Sequence, residues 1–263
     1  MRVIYEPKGK AREYEALAVN PIIGCDHGCT YCYGPATLHM SREEFQKPKL
    51  RDSFLHDLAA DAMELEGSDT PIMVSFVGDP YCHYEAASQL TRHTIEILHA
   101  HNLRVSILTK GGSRAWRDFD LLTPRDKFGV TLTFLRGSHS EQWEPYAASP
   151  SMRIVSLREA HQRGIPTWVS LEPVIDPDQT LHLLRLTHEF VNVFKIGKLN
   201  YRKSTFDLYS FGINLAVLLS ETVAHYYIKD SLMPYMPSGF AKASLRTIPA
   251  EGGSPHDPHT STD

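Results

Sequence analysis

Asn20-Pro-Ile-Ile-Gly-Cys25-Asp-His-Gly-Cys29-Thr-Tyr-Cys32-Tyr-Gly34 follows the apolar segment Leu17-Ala-Val19 and carries three cysteines with CxxxCxxC spacing. Three thiolates this close together, with no fourth cysteine nearby, describe a metal site that keeps one coordination position open. An iron–sulfur cluster held by three cysteines leaves one iron free for a ligand from outside the protein. Two other arrangements use the same residues. Structural zinc closes with four ligands, often from paired CxxC elements. His27 inside the loop, Cys82 or a distant histidine would have to supply the fourth. A disulfide would leave one thiol of the trio over. Gly28 and Gly34 permit tight turns and close backbone approach, and Tyr31 sets an aromatic beside Cys32 to shield a cofactor from water.

Composition narrows the setting. The 263 residues suffice for one large α/β domain with a sizeable core. The longest apolar run, Ile213–Leu219, is interrupted by Asn214 and is far too short to span a bilayer, so no membrane is expected. The N-terminus lacks an apolar signal region, and cysteines are few, which points to a reducing cytoplasm. A net charge of −4 argues against broad non-specific nucleic-acid binding. Lys47, Lys49 and Arg51 form a local basic cluster after the cysteine loop, of a kind more often solvated than bound to phosphate.

Outward from the cysteines the chain alternates. Residues 1–16 read as a polar arm, and residues 20–50 as one long loop without a clear period. A loop of that length inside a compact domain is usually functional. From Asp52 the apolar residues Phe54, Leu55, Leu58, Ala62 and Leu65 share a helical face, and Gly67 ends the segment. Strands are expected at 72–77, 104–109, 128–134, 166–171 and 191–196, after a first at 17–19. Helices are expected between them, at 85–100, 113–122, 151–163 and 178–189, with a last one from Ile213 to Asp230. This rhythm implies a parallel sheet with right-handed crossovers. The domain is expected over residues 1–237, with a loose polar tail over 238–263.

In parallel βα architectures, function collects where strands end. Those positions hold the cysteine loop, Gly78-Asp79-Pro80-Tyr81-Cys82, Thr109-Lys110-Gly111-Gly112, Thr131 and Thr133 with Arg136, Glu172, and Lys195-Ile-Gly-Lys198 with Asn200. Any one of them is as readily an ordinary loop residue. Lys195 is harder to dismiss, because a charge inside the apolar run Phe194-Lys-Ile196 needs a partner or a ligand, and Glu172 is a candidate.

With these residues assembled, the chain resembles the radical S-adenosylmethionine (SAM) superfamily, in the branch of spore photoproduct lyase and the "DNA repair photolyase"-like proteins. The resemblance rests on Asn20–Gly34, Ser75–Pro80, Ile107–Lys110, Trp143-Glu-Pro145 through Met152-Arg-Ile154, Gly164-Ile-Pro-Thr167, Ser170–Pro173 and Phe194–Asn200. It covers roughly residues 17–200; the cysteine motif is specific to the superfamily, the rest to a loose branch. It implies a partial (β/α)6 barrel and a [4Fe-4S] cluster on Cys25, Cys29 and Cys32. It also implies SAM bound at the free iron, and reductive cleavage of SAM to a 5′-deoxyadenosyl radical that acts on a substrate. A one-electron donor such as flavodoxin or ferredoxin would be the partner.

Tyr31, Gly78, Asp79, Lys110, Thr133, Glu172 and Lys195 are the expected cofactor and substrate walls. Gly78-Asp79-Pro80 departs from the Gly-Gly-Glu run frequent in the superfamily, and Pro80 offers no N–H. Spore photoproduct lyases use a cysteine from a similar region after strand 2 as a hydrogen-atom donor. Cys82, after Gly-Asp-Pro-Tyr81 and before His83, does not stand at an equivalent position; besides that donor role, a site-wall role and passive packing are its alternatives. Two other functions stay open: a nucleic-acid repair lyase using the same chemistry, and a non-enzymatic metal- or cluster-binding protein.

Overall fold

The computed structural model describes residues 2–222 and 225–244. Seven parallel strands run in chain order across one sheet: β1 (Leu17–Val19), β2 (Ile72–Val74), β3 (Val105–Thr109), β4 (Lys127–Thr131), β5 (Thr167–Val174), β6 (Val193–Lys198) and β7 (Tyr226–Ile228). Short antiparallel strands border them, Ile4–Tyr5 beside β1 and Ala243–Ser244 beside β7. Helices Phe54–Glu64, Leu90–Ala100, Pro150–Gln162, Pro177–Thr187 and Leu208–Thr222 lie in the crossovers. Among the described residues the two borders of the sheet do not pair, so this is the expected partial barrel with a gap.

The pleat assigns the two faces. Val19, Val74, Ile107, Phe128, Val169, Phe194 and Ile196 point to the face covered by helices and belong to the main core. Ala18, Met73, Leu108, Trp168 and Val193 point to the lumen, where Tyr14 and Phe76 pack with them. The N-terminal arm crosses the gap. Tyr14 sits against Phe76 and Trp168, at centroid distances of 5.6 and 6.0 Å. Glu13 accepts from Asp230 N at 2.8 Å, beyond β7.

Three expectations are corrected. The helix expected over Ile213–Asp230 ends at Thr222, and Tyr226-Tyr-Ile228 forms the seventh parallel strand. Its aromatic and β-branched residues favour a pleated surface, and its apolar character had extended the helical pattern. The helix expected over 85–100 breaks at Gln89, whose φ of +50° separates His83–Ser88 from Leu90–Ala100. The tail expected from 238 begins with residues that belong to the sheet, since Ala243 and Ser244 pair with Tyr227 and Tyr226. The remainder of that tail, 245–263, lies outside the described residues. The long loop also has internal structure: a capping box at Ser41–Glu44 starts the short helix Arg42–Phe45, and Ile22–Ile23 pairs with Lys49–Leu50.

Candidate active site

The cysteine loop leaves β1 and is pinned to the end of β2. Asn20 Oδ1 accepts from Ser75 Oγ, Phe76 N and Val77 N at 3.0, 2.7 and 2.8 Å. Gly78 bridges to Gly24 with φ +129°, and a Cβ there would lie 2.8 Å from Gly24 O, so only glycine fits. Cys25 N donates to Phe45 O, Cys32 N to Cys29 O, and Gly34 N to Cys32 Sγ at 3.4 Å. Asp26 caps the helix His83–Ser88 by accepting from His83 N and Tyr84 N.

His27 is buried, with both nitrogens engaged. Arg114 Nη2 lies 2.8 Å from Nε2, which therefore accepts, and Nδ1 faces Asp79 Oδ2 at 3.5 Å. Burial, with help from Arg114 and Lys110, pulls its pKa to about 4, so the ring is neutral. It has no lone pair free for a metal. Asp79 accepts from Thr109 Oγ1 and Lys110 N at 2.6 Å each and from Tyr81 N at 2.9 Å. Burial opposes its ionisation; the neighbouring imidazole and these hydrogen bonds outweigh that and hold it below the usual carboxylate range. Asp79 thus locks the ends of β2 and β3 together beneath the cysteine loop.

A second set of expected residues converges on Tyr31. Its hydroxyl bonds to Thr133 Oγ1 at 3.1 Å and donates to Glu144, and Lys110 Nζ lies 5.5 Å from its ring centroid. Glu144 forms a fully buried ion pair with Arg153 at 2.6 Å. Arg153 also donates to Thr131 O at 3.0 Å and Ala148 O at 2.8 Å. Burial works against the Glu144 charge, but Arg153 and Lys110 outweigh it and keep the group ionised. The backbone closes the same unit, since Thr30 N donates to Trp143 O and Tyr146 N to His27 O. Glu144 and Arg153 were not expected as site residues, although both stand in stretches that carry the resemblance. Their spacing of nine residues shows no helical or strand periodicity, because a loop separates them.

The expected pairing of Lys195 with Glu172 is corrected. Both occupy the lumen side, but Lys195 lies beside Ser170 in register, two residues before Glu172. Its Nζ donates to the carbonyls of Glu13 and Tyr14 and lies over the Tyr14 and Trp168 rings. Burial pulls its pKa down to about 8. Glu172 instead accepts from Tyr14 OH at 2.5 Å and Asn200 Nδ2 at 3.1 Å, with Lys229 Nζ at 3.7 Å. Gly197 makes room for that meeting: a Cβ there would come within 2.8 Å of Glu172 Cδ and 2.9 Å of Lys229 Cγ.

Cys82 is also placed differently from a rim donor. It is fully buried in the main core, and burial raises its thiol to about 12. It lies near enough to Cys25 to act on that thiol electrostatically. Its surroundings in the structure are those of a packed core residue.

Cys25, Cys29 and Cys32 line one small concavity together with His27, whose nitrogens are already engaged by Arg114 and Asp79, and Gly28, Pro35, Arg42 and Phe45. Among the described residues, no three His, Cys, Asp or Glu side chains converge where a single ion would sit. Thiols distributed around a concavity, with no fourth protein donor, suit a polynuclear cluster in which each thiolate takes its own iron. Burial pushes the Cys25 thiol well above its ordinary range and the Cys29 thiol to about 12, the direction that a bound metal's positive charge would reverse.

A parallel partial barrel with a three-cysteine loop at its strand ends is the frame of this site. The chain belongs to the radical SAM superfamily, whose family model matches residues 19–191. An uncharacterized protein of Methanocaldococcus jannaschii is 27% identical over 191 residues, 71% of each chain. A spore photoproduct lyase variant with bound SAM and dinucleoside spore photoproduct superposes with TM-score 0.60 at 16% identity, over 76% of this chain and 60% of that one. A tyrosine-to-phenylalanine variant of the lyase gives 0.66 at 13%, over 86% and 78%. Streptococcus suis SuiB bound to SAM gives 0.60 at 11%, over 80% and 46%. The chain therefore spans less than two thirds of the first and third of these structures. No described helix is long and apolar enough to cross a membrane.

Proposed function

We propose that the chain cleaves SAM reductively and uses the resulting radical on a substrate, with an external one-electron donor such as flavodoxin or ferredoxin. The observation that carries this reading is the set of three thiols lining one concavity in which, among the described residues, the one further candidate ligand, His27, already has both nitrogens engaged. Cys25, Cys29 and Cys32 would hold a [4Fe-4S] cluster, which when bound supplies the electron that splits SAM into methionine and a 5′-deoxyadenosyl radical.

The chain's own part is to position and to exclude. Asn20 and Asp79 fix the loop on the strand ends, so the three sulfurs keep their spacing. Tyr31, held by Thr133 and Glu144, keeps a wall beside Cys32 and turns its phenol away from water. Lys110 offers a cation next to Cys29 to offset negative charge there; Cys29 and Glu144 sustain its charge against burial. Glu172, Tyr14 and Lys229 present hydrogen-bonding groups on the lumen side. The cytoplasm, where an oxygen-sensitive cluster survives, is the compartment this chemistry requires. A repair reaction on nucleic acid is the second reading, favoured by the fold shared with a spore photoproduct lyase that binds a dinucleoside photoproduct.

The test is anaerobic reconstitution with iron and sulfide, then incubation with SAM and dithionite. 5′-Deoxyadenosine is expected from the wild type and from none of the single Cys25→Ala, Cys29→Ala or Cys32→Ala variants. Iron binding without deoxyadenosine would instead make the chain a cluster-binding protein.

A further inference from the structure

Arg202 joins the cysteine loop to a second concavity. Its Nη2 donates to Thr30 O at 3.2 Å, the carbonyl that also takes Arg42 Nη2 at 3.0 Å. From there an open groove of about 670 Å³ runs past Lys198, Tyr201, Lys203 and Ser204 to Tyr209. Its charge is one-sided. Lys198, Arg202 and Lys203 line it, and Lys10 stands 5.2 Å over the Tyr201 ring while donating to Asn200 Oδ1. The acid in the lining, Asp207, is already occupied: it accepts from Tyr209 N, Ser210 N and Ser210 Oγ at the start of the helix Leu208–Thr222.

Three further features point to a ligand. Tyr201 is 86% exposed and holds φ +62°, a region that a bulky residue seldom occupies without a reason. Tyr209 is 61% exposed on the same groove. Ser204 Oγ is buried in the groove wall and makes no hydrogen bond there.

We propose that this groove binds a nucleotide-sized ligand, a phosphate joined to a planar base. Arg and Lys supply the phosphate contacts, and a guanidinium already aimed at a carbonyl oxygen needs little reorientation to meet an anionic one. The exposed Tyr201 face offers a stacking platform for the base. The volume, about 670 Å³, falls within the range of small-ligand pockets. A cationic ligand is repelled by the wall. Because the chain as a whole is acidic, with net charge −4, the attraction is local to the groove and does not coat the surface. As the entry of a substrate the groove rests on the radical reading; as a binding site it does not.

Calorimetric titration of the cluster-free full chain at low salt tests it, with adenosine 5′-monophosphate, inorganic phosphate, adenosine and a 5′-phosphorylated single-stranded oligonucleotide as probes. The monophosphate should bind about tenfold tighter than phosphate or adenosine alone. The double variant Arg202→Gln, Lys203→Gln and the single variant Tyr201→Ala should each weaken it about tenfold. Their thermal unfolding should stay unchanged, since these side chains are exposed. Tighter binding of the oligonucleotide with the same variant sensitivity also supports the groove and identifies a strand end as the source; tighter binding of the monophosphate identifies the free nucleotide. The proposal is overturned if neither phosphorylated probe binds, if phosphate alone binds as well, or if the variants bind like wild type. Deoxyadenosine formation without nucleotide binding removes the groove alone, and the reverse removes the radical reading alone.

Discussion

Arg153→Met removes the cation from the buried pair that supports Tyr31. Both side chains of that pair are fully buried. Methionine keeps much of the apolar stem and loses every donor. Glu144 would retain Tyr31 OH, Ser140 Oγ at 3.2 Å and the field of Lys110. An uncompensated buried carboxylate costs about 3–5 kcal/mol, and the remaining partners hold this one near the lower end. Two carbonyls, Thr131 O and Ala148 O, lose their donor as well, for roughly 1–2 kcal/mol more. The loss should therefore be about 4–5 kcal/mol, a large share of the roughly 5–15 kcal/mol that holds a domain folded.

Urea unfolding of the cluster-free protein measures it. With m near 2–3 kcal/mol per molar, the midpoint should fall by roughly 1.5–2 M. The double variant Arg153→Met, Glu144→Leu replaces the pair by apolar groups and should recover to within about 2 kcal/mol of wild type. A single variant that loses less than about 1 kcal/mol, or a double variant as unstable as the single, would refute the reasoning.

Lys195 gives a pH signature. Its pKa falls from about 10.5 when unfolded to about 8 when folded, so the unfolded state binds more protons between those values and stability rises with pH there. Wild type should gain about 2–3 kcal/mol relative to Lys195→Met between pH 8 and 10.5; parallel profiles would show that the ammonium is not buried against the Glu13 and Tyr14 carbonyls. Cys82→Ala should cost about 1–2 kcal/mol through lost packing and leave iron content unchanged. Loss of iron from that variant would make Cys82 a ligand.

The alternation of β-branched runs with amphipathic segments made the parallel sheet legible, because each period reports burial against one neighbour. The cysteine spacing was equally legible, since ligand chemistry is local. Register across the lumen was not. Lys195 and Glu172 read as partners because both are charged residues at strand ends, and only the Gly197 gap and the arrival of Lys229, just after the seventh strand, show why Glu172 pairs elsewhere. That strand was hidden by Tyr226-Tyr-Ile228, which continues the apolar pattern of the preceding helix. The arm was read as polar leader, yet Tyr14 fills the lumen: one aromatic among charges carries no period. Cys82 lies in the loop beyond β2, next to the helix His83–Ser88, where a rim position was a fair expectation, but its side chain turns into the core.

The metal and sulfide content of the anaerobically reconstituted chain distinguishes a cluster from a single ion most directly. About four irons and four sulfides per chain are expected, with absorbance near 400 nm that disappears in each of Cys25→Ala, Cys29→Ala and Cys32→Ala. One zinc per chain, with no sulfide and with retention in any of those variants, would contradict the cluster.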